Sequence, residues 1–301
     1  MPFLRLTLHL GSRNPEAIED ALFAAGATSV TLQDSADDPI LEPKPGETPL
    51  WPTVTVHALF DVDAQQAQIV KEVEAEIGMA LPSPSFEVIA DRVWEREWLK
   101  DFKPMRFGQR LWVCPGGMSP PAEQVDANSI LLQLDPGLAF GTGTHPTTAL
   151  CLEWLDAHAH LQGQHVIDYG CGSGILAIAA LQLGARSALG IDIDPQALTA
   201  SRDNAERNGV SAQLKVINCD FVERGPFPAP APLVLANILA GPLAELAPLL
   251  AQLVTPGGHI VLSGLLRNQA ADLAQRYGAW FDMELPLHRD DWSRLSGVKR
   301  R

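Results

Sequence analysis

The 301-residue sequence predicts an α/β protein in which a doubly wound sheet is preceded by a small α+β domain of ferredoxin-like plan. Three observations support this prediction. From residue 165 onward, short apolar runs alternate with segments of helical spacing, which is typical of parallel βα units. The first of these runs ends in a turn with three alternate glycines, Gly170, Gly172 and Gly174. Before residue 93 the segments follow the order βαββαβ, the ferredoxin-like arrangement.

The smaller domain is predicted to cover residues 1–92. Its four strands show alternating apolar residues, and its two helices show apolar residues at helical spacing. Pro15 suits the first turn of the first helix, and Asp63 is the expected cap of the second. The domain carries no obvious catalytic constellation, and we interpret it as a substrate-recognition module. The predicted strands are 3–10, 28–33, 53–62 and 85–92.

Residues 93–125 are predicted to link the two domains. The linker opens with a charged and aromatic stretch in which Trp94 and Trp98 lie on one face of a short helix. Two interpretations stay open, because these tryptophans either pack the linker against a domain or contact the substrate directly. Two short strands are expected nearby, at 109–114 and 129–134.

A glycine- and threonine-rich stretch, residues 135–148, follows near the start of the larger domain, residues 126–301. It contains three glycines, four threonines and a lone aromatic residue, Phe140, a composition that suits a ligand loop better than a core. Thr148 should lie in the first turn of the next helix, where its hydroxyl either meets a ligand or caps backbone N–H groups. His145 is a candidate base, although a loop histidine without a paired acid is more often structural.

The remaining elements predict an open sheet. Gly170, Asp192 and Asn237 each fall at the end of a strand on one edge, where ligands bind in such sheets. Pro242 is expected to start a helix, and Gly257-Gly258 should turn the chain into the fifth strand. Asp220, at the end of the third strand, is a candidate partner for an adenine amino group. The predicted strands are 165–170, 188–194, 215–219, 233–236 and 259–262, followed by a terminal hairpin.

The glycine turn and two acids define the expected ligand. Asp192, at the end of the second strand, is placed to accept hydrogen bonds from ribose hydroxyls. A dinucleotide fingerprint is G-x-G-x-x-G, whereas here the third glycine comes one place early, at Gly174. Asp168, just before the turn, would repel a pyrophosphate. A cofactor with a ribose, a positive charge and no phosphate fits both conditions, and S-adenosylmethionine (AdoMet) is such a cofactor.

Asn237 suits methyl transfer to an amine. The leaving group of AdoMet is already positively charged, so the enzyme needs positioning more than acid catalysis. An amide carbonyl can hold an N–H of an attacking amine without adding a competing charge. The alternative is that Asn237 caps the helix that follows, and the two roles are compatible.

Composition narrows the class of protein. The net charge of −14 argues against nonspecific binding of nucleic acid and is compatible with a basic protein substrate. No apolar run reaches membrane-spanning length, and the N-terminus lacks the layout of a signal peptide. The four cysteines are widely spaced, which matches neither a zinc site nor a disulfide framework. We therefore expect a cytoplasmic protein with reduced thiols and no metal.

Several motifs resemble the ribosomal protein L11 methyltransferase family (PrmA). They cover nearly all of the second domain with high specificity, whereas the first domain agrees mainly in layout. Departures such as Tyr169, where the family often has Phe, lie outside the expected contacts. The motifs are Leu138–Thr148, Asp168–Gly174, Gly190–Asp194 and Asn237–Pro242, together with the linker residues Trp98–Pro104.

This resemblance implies a class I AdoMet-dependent enzyme that methylates lysine ε-amino groups and an N-terminal α-amine of that large-subunit ribosomal protein. It also implies Thr148, Gly170, Asp192 and Asn237 as cofactor contacts, with Asn237 beside the amine as the catalytic residue. Two other functions stay open from the residues alone. One is methylation of rRNA or a small amine, and the other is AdoMet binding without catalysis.

Overall fold

The computed structural model describes residues 2–36, 49–89, 103–134, 145–158, 161–219 and 228–301. The chain divides into two compact units, Met1–Glu95 and Arg96–Arg301. The predicted contacts of Trp94, Trp98, Phe140 and Asp220 lie outside the described residues.

The first unit has the predicted βαββαβ order. Its four strands form one antiparallel sheet in the spatial order β2-β3-β1-β4, and its core gathers alternate apolar side chains of the strands with one side of each helix. Each helix packs one apolar face on the sheet, and this packing stabilises the helix. The elements are β1 (Phe3–Gly11), α1 (Glu16–Ala24), β2 (Ser29–Asp34), β3 (Val54–Asp61), α2 (Gln66–Ile77) and β4 (Ser85–Ile89).

The capping predictions for this unit need correction. Helix α2 begins at Gln66 with Gln65 at its N-cap position, so Asp63 does not cap it. Helix α1 follows Pro15 without a side-chain cap, although Asn14 Oδ1 accepts a hydrogen bond from the backbone N–H of Glu16 at 3.0 Å. An acid near a helix start is a weaker signal than the apolar pattern, because several nearby residues can occupy the cap position.

The second unit opens with a small three-stranded sheet that includes a strand absent from the sequence prediction. Strands β5 (Met105–Phe107) and β6 (Leu111–Pro115) pair antiparallel, and β6 pairs parallel with β7 (Ile130–Leu134). Part of the stretch predicted as a linker is therefore ordered within this unit. Three residues are too few to show a strand period, which explains why β5 was missed.

The larger sheet of this unit has the spatial order β10-β9-β8-β11-β12-β15-β13, with β14 paired to β15. Its first five strands are parallel, and β15 returns antiparallel beside β12. The order of connection reverses between β8 and β11, which creates a crevice at their carboxyl ends. The strands are β8 (His165–Tyr169), β9 (Ser187–Asp192), β10 (Leu214–Asn218), β11 (Ala231–Asn237), β12 (Val254–Leu266), β13 (Phe281–Met283), β14 (Leu287–Arg289) and β15 (Trp292–Lys299).

Helices pack around this sheet. Helix α4 is buried along almost its whole length, which matches its continuous apolar sequence rather than a single apolar stripe. The helices are α3 (Pro146–Ala157), α4 (Ile175–Gln182), α5 (Pro195–Arg207), α6 (Ala240–Glu245), α7 (Ala247–Leu253) and α8 (Ala270–Tyr277).

Two boundary predictions in this region are wrong. The helix expected to start at Pro242 begins two residues earlier, because proline is tolerated anywhere in a first turn whose N–H groups lack partners. That helix also breaks at Leu246, since Pro248 cannot continue the hydrogen-bond ladder. Gly257 and Gly258 lie within strand β12 rather than in a turn before it. Among the described residues, no helix is long and apolar enough to cross a membrane.

Candidate active site

A cavity of about 710 Å³ lies at the carboxyl ends of the parallel strands, within the second unit. Three of the four residues predicted from the sequence, Gly170, Asp192 and Asn237, line it. The fourth, Thr148, lies behind its wall. The other lining residues are His145, Thr147, Tyr169, Gly172, Ile193, Cys219, Ile238, Leu239, Pro242, Leu246, Gly264 and Trp292.

Gly170 occupies a position that only glycine can fill. Its φ angle of +75° lies in the left-handed region, and a Cβ there would lie 2.2 Å from Cγ2 of Ile238. Its backbone N–H donates to the carbonyl of Ile191 at 2.7 Å, which ties the turn to the neighbouring strand. The glycine therefore keeps the crevice between β8 and β11 open at its base.

Asp192 is held in a fixed orientation at the tip of β9. Its Oδ2 accepts a hydrogen bond from the backbone N–H of Gly172 at 2.8 Å, and its Oδ1 accepts from that of Asp194 at 3.0 Å. A carboxylate has about four lone-pair positions, so two further donors can be accommodated. The adjacent Ile193 leaves 73% of its surface exposed at the rim. The site thus offers a preoriented acceptor beside an apolar surface.

Asp168 is buried rather than exposed to the cavity. It is 1% exposed, and its Oδ2 accepts a hydrogen bond from the backbone N–H of Ala177 at 3.0 Å. Its Oδ1 has no partner among the described residues. Burial raises the pKa of this carboxyl to about 7; the bond from Ala177 opposes the shift and the nearby charge of Asp192 adds to it. Asp168 therefore lies behind the glycine turn, where it bonds to the first turn of α4.

Asn237 and Thr148, far apart in the sequence, meet in the structure. Asn237 Nδ2 donates a hydrogen bond to Thr148 Oγ1 at 3.2 Å, and Thr148 is fully buried. The Oδ1 of Asn237 is buried and has no hydrogen-bond partner among the described residues. The helix that follows Asn237 has Leu239 at its N-cap position, so the capping alternative for Asn237 is wrong.

His145, not Thr148, caps helix α3. Its Nδ1 accepts a hydrogen bond from the backbone N–H of Thr147 at 3.4 Å and lies 2.7 Å from Thr147 Oγ1. Burial lowers the pKa of His145, which favours the neutral ring. The capping position and the neutral ring favour the structural interpretation of His145 over that of a base.

Trp292 is a site residue that the sequence reasoning missed. It begins strand β15, and its ring meets that of His145 edge-on with 4.6 Å between the centroids. The terminal hairpin was predicted, but nothing local indicated that it reaches the start of α3. Gly264 was missed for the same reason; its φ angle is +88°, and a Cβ there would lie 2.3 Å from the carbonyl oxygen of Ile238.

The parallel sheet, its switch point and a cavity between a glycine turn, a strand-end carboxylate and a strand-end amide define the class I methyltransferase fold. The ferredoxin-like unit that precedes this fold restricts the kind of class I methyltransferase further. Comparison with known proteins gives the same classification. The family model for ribosomal protein L11 methyltransferase (PrmA) matches residues 2–300. The chain belongs to this family, as the resemblance of its motifs predicted.

Two sequence relatives are similar over the whole chain, and one solved structure is similar over two thirds of it. The ribosomal protein L11 methyltransferase of Shewanella amazonensis is 52% identical over 302 residues, covering 100% of this chain and 99% of the relative. That of Yersinia pseudotuberculosis is 50% identical over 302 residues and covers 100% of both chains. The crystal structure of the ribosomal protein L11 methylase from Lactobacillus delbrueckii subsp. bulgaricus aligns with a TM-score of 0.58 at 28% identity. It covers 66% of this chain and 99% of that chain.

Proposed function

We propose that this chain transfers methyl groups from AdoMet to lysine ε-amino groups and to the N-terminal α-amine of ribosomal protein L11. Relatives named ribosomal protein L11 methyltransferase share about half of its residues over the full length. The observation that carries the proposal is the cavity that Asn237 and Asp192 line together, where the buried Oδ1 of Asn237 has no hydrogen-bond partner among the described residues. An acceptor without a donor is what an incoming amine requires.

The residues present fit AdoMet. Asp192 keeps lone pairs for the two ribose hydroxyls, and Gly170 lets the ligand approach the main chain. Ile193 and Leu239 offer exposed apolar surface to a flat base. AdoMet, when bound, supplies an activated methyl group on a positively charged sulfur. We propose Thr148, Gly170, Asp192 and Asn237 as its contacts, and Thr148 also accepts a hydrogen bond from Asn237.

The amine must lose a proton before it can attack. For a lysine with a pKa near 10.4, this costs about 4–5 kcal/mol at pH 7. Entry into a cavity with a mostly apolar wall lowers that cost, because burial disfavours the charged form. Asn237 Oδ1 then accepts one N–H of the neutral amine and directs the nitrogen lone pair. Asn237 stays neutral in this step, and the methylated nitrogen takes up the positive charge that the sulfur loses.

The first unit is the proposed recognition module, with residues 1–92 as its extent. Residues 1–95 carry 16 acidic and 5 basic side chains, so this unit accounts for −11 of the net charge of −14. Ribosomal proteins that contact RNA are commonly basic, and a field of opposite sign favours their encounter. The same charge disfavours nucleic acid, and we propose no direct contact with it.

We infer a cytoplasmic location from the thiols and from the proposed substrate. Among the described residues, none of the four cysteines forms a disulfide, and burial raises the pKa of the Cys114 thiol to about 11. Buried, protonated thiols of this kind are typical of a reducing compartment.

Labelled AdoMet tests the proposed function directly. The chain is incubated with labelled AdoMet and either free L11, rRNA or a small amine. Label on lysines and the N-terminus of L11 is expected. Label on rRNA or on the small amine alone would replace this function with another, and AdoMet binding without transfer to any of the three would indicate a binding protein.

A further inference from the structure

A groove in the first unit lies outside the proposed active site. It has a volume of about 470 Å³ and lies between helix α2 and strand β4. The chemistry proposed for the second unit does not use this groove. Its lining side chains are Gln66, Ala67, Val70, Lys71 and Glu74 of the helix and Phe86 of the strand.

Strand β4 leaves apolar side chains exposed on the face that the neighbouring strand buries. In register, Phe86 lies beside Leu6 of β1, and Val88 lies beside Leu4. Leu4 and Leu6 are at most 2% exposed, whereas Val88 is 63% exposed and Phe86 is only partly buried. Since side chains alternate along a strand, Phe86 and Val88 point to the same face. Helix α2 therefore covers β1 more fully than β4, and this offset opens the groove.

The backbone of β4 lies at an edge of the sheet. Among the described residues, β4 pairs with β1 alone. An edge strand presents N–H and C=O groups to which another chain can add as a strand. Natural edges are commonly protected by lysine or proline, and β4 (Ser85–Ile89) contains neither. In an added strand, every second side chain would face the side of the sheet on which the groove lies.

The charge around the groove favours one kind of segment. Helix α2 carries three glutamates and a single lysine, Lys71. The acid of β4, Glu87, pairs with Arg5 on the opposite face of the sheet, so the charge beside the groove comes mainly from α2. Because surface charges act over a Debye length of about 10 Å, this excess of acids attracts a basic segment and disfavours an acidic one.

We propose that this groove and the edge of β4 bind an extended, basic segment of the protein substrate, which adds to the sheet as a fifth strand. Backbone hydrogen bonds to β4 provide affinity, and one apolar side chain of the segment packs beside Phe86 and Val88. The glutamates of α2 favour lysine or arginine next to that apolar residue. This inference rests on the proposed function, because it takes the substrate to be a basic ribosomal protein.

Hydrogen exchange tests strand addition without any methyl transfer. The full chain is mixed with L11 in the absence of AdoMet, and amide exchange in β4 is compared with exchange in the other edge strand, β2. We expect exchange about tenfold slower within residues 85–89 and unchanged exchange in β2. Unchanged exchange in β4 overturns the inference. Protection of β4 that appears without L11 and rises with chain concentration also overturns it, since the occupant would be a second copy.

Substitution of Val88 tests the apolar part of the groove. Val88→Lys should raise the KM for L11 about tenfold and leave kcat and the Kd for AdoMet unchanged, because a charge replaces the apolar contact. Val88→Ala should raise KM by a smaller factor and serves if the lysine variant folds poorly. Phe23→Lys is the matched control, since it adds the same charge at a side chain of α1 that is 47% exposed. It should change KM less than about twofold.

Substitution of Lys71 tests the charge of the groove in the opposite direction. Lys71→Glu removes the one base that lines the groove and should lower the KM for L11 about threefold, a gain that misfolding does not produce. Arg13→Glu makes the same change of charge at an exposed residue outside the groove and should lower KM less. Equal effects of Lys71→Glu and Arg13→Glu, or of Val88→Lys and Phe23→Lys, would overturn the inference, because overall charge would then explain them.

These measurements separate the inference from the proposed function. Protection of β4 by an L11 that acquires no methyl label contradicts only the proposed function. Labelled L11, combined with unprotected β4 amides and an unchanged KM in Val88→Lys, contradicts only the inference.

Discussion

At the scale of single residues, the site is built from polar groups whose partners are only partly supplied by the protein. Among the described residues, Asp192 accepts hydrogen bonds from two backbone N–H groups, and Asn237 donates to Thr148 while its Oδ1 accepts from none. A buried acceptor without a donor costs about 1–3 kcal/mol, which a ligand N–H recovers. The unpaired atoms therefore indicate where ligand groups are expected.

Asp192→Ala should weaken AdoMet binding by about 1–3 kcal/mol, because hydrogen bonds from two hydroxyls to a charged acceptor are lost. Isothermal titration calorimetry measures this directly. Asp203→Ala, an exposed acid on the nearby helix α5, is the control and should bind as the wild type does. Equal affinity of the Asp192→Ala variant and the wild type would show that the ribose lies elsewhere.

Asp168 should make stability depend on pH. Its pKa is raised by burial from 3.8 to about 7, so the folded state binds the proton more tightly than the unfolded chain does. The resulting stabilisation is complete below about pH 4 and is lost as pH rises through about 7. Asp168→Asn should remove this component. Urea unfolding of both proteins between pH 4 and 8 checks the prediction, and parallel pH profiles would contradict it.

At the scale of elements, a buried acid on helix α3 bonds to the small sheet β5-β6-β7, in addition to the apolar core that the helix and the sheet share. Asp156 is 7% exposed; its Oδ2 accepts from the backbone N–H of Gln109 at 2.6 Å, and its Oδ1 pairs with Arg110 Nε at 3.0 Å. Gly108 has a φ angle of +66°, and a Cβ there would lie 2.3 Å from Asp156 Oδ2. Residues 108–110 therefore pack closely against Asp156 of helix α3, which lies far along the chain.

Asp156→Ala should lower the free energy of unfolding by about 2–3 kcal/mol, because it leaves a backbone donor and a guanidinium without their buried partner. Chemical denaturation measures the change. Asp282→Ala removes an exposed pair with Arg300 and should cost less than about 1 kcal/mol. Similar losses for the two variants would mean that Asp156 does not anchor the sheet.

The same elements show how far the sequence could predict the structure. The parallel strands and the glycine turn follow from local patterns, so the predicted fold class and the positions of Gly170, Asp192 and Asn237 agree with the architecture observed. Strand β5 and the contact of Trp292 with His145 depend on partners far along the chain. Local period and turn chemistry carry no information about such contacts, and this is why they were missed.

At the scale of the whole molecule, charge is distributed unevenly between the two units. The acidic first unit is proposed to attract a basic protein, whereas the cofactor is proposed to bind in the second unit. Salt screens charges at the surface more than it weakens contacts in a cavity. The two binding steps should therefore respond differently to ionic strength.

Raising the salt concentration from about 0.05 M to about 0.5 M, which shortens the Debye length from roughly 14 Å to 4 Å, should raise the KM for L11 several-fold. The Kd for AdoMet should change less than about twofold over the same range. Steady-state kinetics and calorimetry provide the two values. A KM for L11 that does not respond to salt would contradict a role for charge in the recognition of L11.

The most direct test of the central claim is a mass spectrum of L11 after incubation with the chain and isotopically labelled AdoMet. The proposed function predicts labelled methyl groups on lysine ε-amino groups and on the N-terminal α-amine, and a large loss of that label with Asn237→Ala. Unlabelled L11 in the presence of a chain that binds AdoMet would contradict the claim, as would label confined to residues other than amines.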